Sequence, residues 1–265
     1  MTAETKVHAL YRYPVKGLSP EPLANVRLEA GAYFPGDRLY AIENGPSGFH
    51  AAMPAHEPKI KFLMLMRNER LAQLTTRFDD VTSTLTIREG NHDAIRCDLS
   101  SKEGRLAAEA FFRRFMPKEL RGPPKVLTAP DDFRFTDSRR GFVSIINLAS
   151  IAPLETAVGA PVHQLRFRAN IYVAGWPAWH EFDLVGSELA VGSTARLKVT
   201  KRIQRCAATD VDPDTGIRDL SVPRTLMDTF GHTDFGIYAE VVGSGPVRVG
   251  DSVAECATEQ QTLPF

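Results

Sequence analysis

Cysteine is scarce in this 265-residue chain. There are three, Cys97, Cys206 and Cys256, an odd number at wide spacing. That is a poor disulfide framework, and without a CxxC pair a structural zinc or iron–sulfur centre of ordinary spacing lacks its ligands. Charge of one sign is also missing. The 32 Lys and Arg balance 32 Asp and Glu, so no global field draws the protein to nucleic acid or an anionic membrane. Any anion site must be built locally from a few arginines. No run of about 18 apolar residues is present to span a bilayer. The opening MTAETKVHALYRYPVKG lacks the apolar stretch of a signal peptide. GxGxxG after a strand, Walker A, a nucleophile elbow and H-E-x-x-H are all absent, which leaves nucleotide-binding and ordinary hydrolase readings without support. The expectation is a reduced, cytoplasmic protein with no nucleic-acid or membrane partner.

What is present is short periodicity punctuated by 19 Gly and 18 Pro. KVHALYRYP alternates Val7, Ala9, Tyr11 and Tyr13 and predicts a strand. NVRLEAGAYFPGDRLYAIE predicts two strands around Gly31 to Gly36. KFLMLMR is short enough to favour a strand. STLTIRE predicts an edge or half-buried strand. The first helix is expected from Ser101 to Met116, with Leu106, Ala110 and Phe111 on one face and Pro117 as a stop. A strand near 142–145 should lead into a helix ending near Val158. HQLRFRANIYVAG and ELAVGSTARLKVTKRIQRC return to strands. SVPRTLMDTFG reads as a helix capped by Ser221 and closed by Gly231, and DFGIYAEVVGSGPVRVGDSV as two further strands. The sum is a β-rich fold with minor helices (α+β). Many short strands joined by Gly/Pro turns suggest barrels or curled sheets. The helical section divides residues 1–125 from residues 126–265.

Chemistry concentrates in KRIQRCAATDVDPDTG, Lys201 to Gly216. Arg202 and Arg205 precede Cys206, and positive charge favours the thiolate, the form that attacks electrophiles or binds metal. Packing residue, nucleophile and soft-metal ligand all remain open on this stretch alone. Asp210, Asp212 and Asp214 follow in a turn. Lys16 and Arg38 stand at strand–turn transitions, and Arg166 and Arg168 alternate before Asn170, which predicts both on one side of a strand. Arginines converging from such distant segments form a fork for phosphate oxygens. His50, His56, His180 and His232 show no metal-ligand spacing.

At these residues the chain resembles the MOSC family, named for the molybdenum-cofactor sulfurase C-terminal domain. The likeness is to members with an N-terminal MOSC-associated β-barrel, such as the mitochondrial amidoxime-reducing component and bacterial relatives. YRYPVKG, FPGDRLYAIE, FRANIYVAG, RCAATDVDPDTG and VRVGDSV carry it. The resemblance implies a MOSC β-barrel domain packed against an N-terminal β-barrel-like domain. It implies the molybdenum cofactor, molybdopterin with Mo, with Cys206 as metal ligand and catalytic centre. Lys16, Arg38, Arg168 and Arg205 match basic residues around the pterin and its phosphate. Thr136, Asp137 and Ser138 match a cofactor-lining turn, Asn170 the central motif, and Tyr238 a tyrosine near the cofactor. The chain departs from the pattern at four places. Ala169 stands for Pro, Gly17 for Ser, Tyr40 for Trp and Gln204 for Ser.

The activity so implied is reduction of N-hydroxylated or related N-oxygenated small molecules. No ferredoxin-like cysteine cluster, flavin or nicotinamide fingerprint appears, so a separate electron-donor protein is expected. The alternatives are a cofactor carrier or insertion protein, and a sulfur-transfer protein using Cys206.

Overall fold

The computed structural model describes residues 4–138 and 143–256. Strands β1 (Lys6–Arg12), β2 (Glu21–Leu23), β3 (Asn25–Leu28) and β4 (Tyr40–Asn44) come first. A meander of β5 (Leu74–Asp79), β6 (Thr84–Glu89) and β7 (His92–Asp98) leads to α1 (Lys102–Phe115) and β8 (Pro124–Thr128). Then follow β9 (Val143–Asn147), α2 (Ile151–Val158), β10 (Ile171–Ala174), β11 (Glu188–Val191) and β12 (Ala195–Gln204). The described chain ends with α3 (Val222–Phe230), β13 (Asp234–Gly243), β14 (Gly245–Arg248) and β15 (Val253–Glu255). The protein is β-rich with minor helices, as its turn-punctuated sequence predicts. No described helix is long and apolar enough to cross a membrane.

An eight-stranded sheet runs β15-β11-β12-β13-β9-β10-β1-β2. Its one parallel pair, β9 with β10, is bridged by α2, the crossover that parallel strands require. The other sheets are β5-β6-β7, β4-β8 and β3-β14. Two large apolar clusters follow this division. One lies on the big sheet and takes Val7, Leu10, Val26, Leu28 and Phe34 from the first segment. The other joins the meander to α1 through Leu74, Ile87, Phe111 and Phe112.

Local chemistry sets the helix ends. Ser101 caps α1 by accepting from Gly104 N at 2.9 Å, and Gly231 closes α3 at φ 76°. The buried stripe of α1 is Ala108, Phe111, Phe112 and Phe115. Leu106 and Ala110, expected on that face, are exposed. The stripe is set by the phenylalanines, whose larger apolar area faces the core. STLTIRE is half-buried, but it is the centre of its sheet rather than an edge.

Two segments predicted as strands fold otherwise. In KFLMLMR only Phe62 bridges to a strand, and Met64 to Asn68 form a turn closed by Asn68 N on Met64 O at 2.9 Å. Gln164–Phe167 is a 3-10 turn, and Arg168 is left-handed at φ 50°. Arg166 and Arg168 therefore do not share a strand face. Of the strand expected near 142–145, Phe142 lies outside the described residues.

Candidate functional site

A cavity of about 600 Å³ opens where β9, β12 and β13 of the large sheet meet the loops around Lys16, Arg38, Lys59 and Leu65. Its walls combine loops, namely the turn after β1, the approaches to β4, β9 and β10, the segment between β4 and β5 and the turn after β12, with strand residues of β9, β12 and β13. All ten residues expected at a site line it: Lys16, Arg38, Thr136, Asp137, Ser138, Arg168, Asn170, Arg205, Cys206 and Tyr238. Among the described residues eight basic and three acidic ones line it, so a neutral chain has built a locally positive cavity.

On one wall the cations meet carboxylates. Arg38 Nη1 donates to Asp37 Oδ1 at 2.6 Å, and Asp37 Oδ1 also accepts from Tyr13 N at 2.8 Å. Burial opposes the Arg38 charge, but Asp37 overrides it and raises the pKa. Lys16 Nζ donates to Asp137 and to Phe135 O at 2.9 Å, and Lys59 Nζ lies 3.7 Å from Asp137 Oδ2. Burial pulls Lys16 below the usual lysine value. Burial also opposes the Asp137 charge, yet Lys16 and Lys59 hold that carboxyl well below its usual range.

On the other wall the cations meet carbonyls. Arg168 Nη2 donates to Leu18 O at 2.7 Å. Arg205 rivets β13 to the 3-10 turn before β10, Nε to Phe235 O at 2.8 Å and Nη1 to Phe167 O at 2.9 Å. The rings of those same two residues stack at 4.0 Å. Burial pushes Arg168 down to about 10 and lowers Arg205, and neither has a carboxylate within ion-pair distance among the described residues. Arg38 and Arg168 both lie over the Tyr13 ring, at 4.5 and 4.3 Å.

Cys206 heads a 3-10 turn, Ala207–Asp210, and is half-buried with a free thiol. Two arginines pin its loop. Arg166, buried, donates to Asp210 O at 3.1 Å and pairs with Asp219 at 2.7 Å and Asp212 at 3.2 Å. Arg218 crosses to the other part of the molecule, Nη2 to Met66 O at 2.7 Å and to Leu65 O at 3.0 Å. The Asp212 turn is self-capped, its Oδ1 accepting from Thr215 N at 2.8 Å.

The remaining expected residues shape the wall. Asn170 Oδ1 accepts from Ser144 Oγ at 2.8 Å, and its Nδ2 reaches Tyr11 O at 3.3 Å, which ties β9 to β1. Thr136 Oγ1 donates to Ser138 O at 2.7 Å, and His56 Nε2 lies 3.1 Å from Thr136 O. Burial raises the Tyr238 phenol, which keeps it neutral. Sequence reasoning missed Lys59. Burial opposes its charge, but Asp137 and then Cys206 raise its pKa, and it lines the same cavity as Cys206. Its one local signal was a lysine between Pro58 and an apolar run.

Two departures from the family pattern have structural grounds. Gly17 sits at φ 84°, where an added Cβ meets Leu63 O at 2.8 Å, so a serine there is strained. Ala169 N donates to Tyr172 Oη at 3.2 Å, a bond proline has no hydrogen to make. Tyr40 is buried against Phe78, ring centroids 5.3 Å apart, and Gln204 is exposed.

Residues 4–116 match the family model described as the MOSC N-terminal beta barrel domain, and residues 132–254 that of the MOSC domain. Mitochondrial amidoxime reducing component 2 of Bos taurus is 34% identical over 123 residues, 42% of this chain and 36% of that protein. Mitochondrial amidoxime-reducing component 1 of Mus musculus is 28% identical over 149 residues, 52% and 42% respectively. The matched stretches thus span about two fifths of those relatives' own length. Among solved structures, the YUAD protein of Bacillus subtilis aligns over 94% of this chain and 93% of its own, at 15% identity and a TM-score of 0.43.

Proposed function

The chain belongs to the MOSC family, with a MOSC N-terminal β-barrel domain ahead of its MOSC domain; from that premise we propose that it is a molybdenum-cofactor-binding oxidoreductase. Its substrates are N-hydroxylated or related N-oxygenated small molecules, and its electrons come from a separate donor protein. The names of its relatives point the same way.

One observation carries the reading. One cysteine thiol, Cys206, lines the same cavity as Arg168 and Arg205, two guanidinium groups with no carboxylate within ion-pair distance among the described residues. The donor set fits the group. A thiolate suits a soft transition metal, and buried guanidinium forks suit phosphate oxygens. When bound, the cofactor supplies the two-electron chemistry that removes oxygen from the substrate.

The chain's own residues do the rest. Arg168 and Arg205 hold the anionic end of the pterin, with Lys16 and Arg38 behind them. Arg166 and Arg218 fix the Cys206 loop, so the sulfur is presented from a rigid turn. Lys59 lines the same cavity as Cys206 and adds to its positive charge. Asn170 and Ser144 keep the β9–β10 end in register. The three free cysteines suit a reducing compartment such as the cytoplasm, although the relatives are named as mitochondrial.

The test is molybdenum and released-pterin content of protein made in a cofactor-competent host, with Cys206→Ser alongside. Near-stoichiometric metal, falling by a factor of about ten or more in the variant because oxygen is the harder donor, supports the ligand role. Loaded wild-type protein that reduces no N-hydroxylated substrate with several donors argues for a carrier instead. Sulfane sulfur found on Cys206 after incubation with a desulfurase argues for sulfur transfer.

A further inference from the structure

Three residues that lie far apart in the sequence meet at one buried ring. Tyr13 is fully buried, and the guanidinium groups of Arg38 and Arg168 both lie over it, 4.5 and 4.3 Å from its centroid. Arg38 belongs to the carboxylate-held wall of the cavity and Arg168 to the carbonyl-held one, so the ring joins the two walls. Like charges this close repel. Burial is the main cause that pushes Arg168 down, and the charge of Arg38 adds to it.

The backbone at both arginines is unusual. Among the described residues four that are not glycine have positive φ, and Arg38 and Arg168 are two of them, each at φ 50°. A residue with a Cβ avoids that region unless its surroundings hold it there. Here the surroundings lead back to Tyr13. Asp37 Oδ1 accepts from Tyr13 N at 2.8 Å and from Arg38 Nη1 at 2.6 Å. Arg38 N donates to Tyr13 O at 2.8 Å, and Arg38 Nη2 to Arg168 O at 3.2 Å. Main-chain bonds thus tie the three residues together, and the ring receives both cationic heads.

The Tyr13 hydroxyl takes no part. Burial and then the Tyr172 phenol push its pKa well up, so it stays neutral, and it closes no hydrogen bond among the described residues. What the site uses is the ring face, whose negative quadrupole attracts cations most strongly away from water. A carboxylate in its place would cancel the charge of Arg168. A ring orients that charge and leaves it intact for an incoming anion.

We propose that Tyr13 is a positioning residue, its ring clamping Arg38 and Arg168 together as one two-pronged receptor for a phosphate group at the cavity. This deepens the cofactor reading above and rests on it only for the identity of the molecule that carries the phosphate.

The test is a titration of inorganic phosphate into the whole chain, made in a host that lacks the pterin cofactor, with affinity expressed per folded molecule. Arg168→Ala should abolish binding, which assigns it to the cavity. Tyr13→Phe keeps the ring and should bind within about twofold of wild type. Tyr13→Leu is apolar but has no ring face, and should bind about five- to tenfold more weakly, the scale of a buried cation–π contact. Leucine also leaves a void, so pentafluorophenylalanine at position 13 is the second variant. It keeps a ring of similar shape with the quadrupole reversed, and should weaken binding as leucine does. A leucine or fluorinated variant as tight as wild type overturns the clamp. So does a phenylalanine variant as weak as leucine, a wild-type chain that binds no phosphate, or binding that survives Arg168→Ala.

Pterin content of the same proteins from a cofactor-competent host is read separately. The phosphate ranking without pterin keeps the clamp and removes the cofactor reading. Pterin without the ranking does the reverse.

Discussion

The two walls of the cavity hold their cations by different means. Arg38 sits against Asp37 as a near-neutral pair, and Lys16 shares Asp137 with Lys59, so their charge is partly offset. Arg168 and Arg205 sit against main-chain carbonyls, whose dipoles orient a charge without cancelling it. Burial lowers both of those pKa values, a sign that their charge is held at a cost. An incoming anion therefore gains little from the first wall and much from the second. The same residue type, two positions apart, shows the contrast again. Both line the cavity, but Arg166 is paired with Asp212 and Asp219, whereas Arg168 has no ion pair among the described residues.

Breaking the carbonyl-held wall should have the largest effect. Arg205→Ala removes the donors to Phe235 O and Phe167 O and the charge together. Pterin retention should fall about tenfold or more, with stability down by about 2–3 kcal/mol. Pterin release and urea denaturation report the two losses, and undiminished pterin per folded chain would place anion affinity elsewhere. Arg166→Ala comes next. It strands two carboxylates that are 21% and 42% exposed, so the loss is discounted to about 2 kcal/mol of stability. Anion affinity per folded molecule should stay within about twofold of wild type. A larger change would mean that the two arginines act as one unit.

The smallest effect sharpens the contrast from the other side. Asp137→Asn leaves Lys16 and Lys59 unmatched, making the first wall resemble the second. Affinity for inorganic phosphate should rise about two- to fivefold, and a titration that shows no rise would count against the matched-wall argument. The Asp137 side chain is 48% exposed, so its own stabilising contribution is under about 1 kcal/mol. Its pKa is depressed in the folded state. That contribution is therefore present above the unfolded value near 3.8 and is lost as pH falls through the folded value. The stability gap between wild type and variant should be full at pH 7 and shrink on acidification.

The sequence was informative where a local rule decides the outcome. Ser101 before α1, Gly231 after α3 and the self-capped Asp212 turn obey short-range hydrogen-bond chemistry that reads directly from residue type. The residues expected at a site come from motifs in distant segments, and all of them line one cavity. What failed was long-range. Nothing in KFLMLMR announces that the carbonyls of Leu65 and Met66 are taken by Arg218, some 150 positions away, rather than by a strand. The alternation of Arg166 and Arg168 was a true period of two in letters but not in backbone, because φ 50° at Arg168 turns the chain. Lys59 was invisible because its neighbours, Asp137 and Cys206, are brought to it only by the fold.

The pairing of β3 with β14 bears on the order of events during synthesis. Val26 lies opposite Val247, so the first strands emerge from the ribosome long before their partners. The meander and α1, whose contacts are near in sequence, have everything they need early and can fold while the rest is still being made. The large sheet must wait for its final strands. The cavity draws its lining from residues as far apart as Lys16 and Tyr238, so it is finished only after β13 has been made. Anything that enters it meets both parts already synthesised, and loading follows the closing of the large sheet.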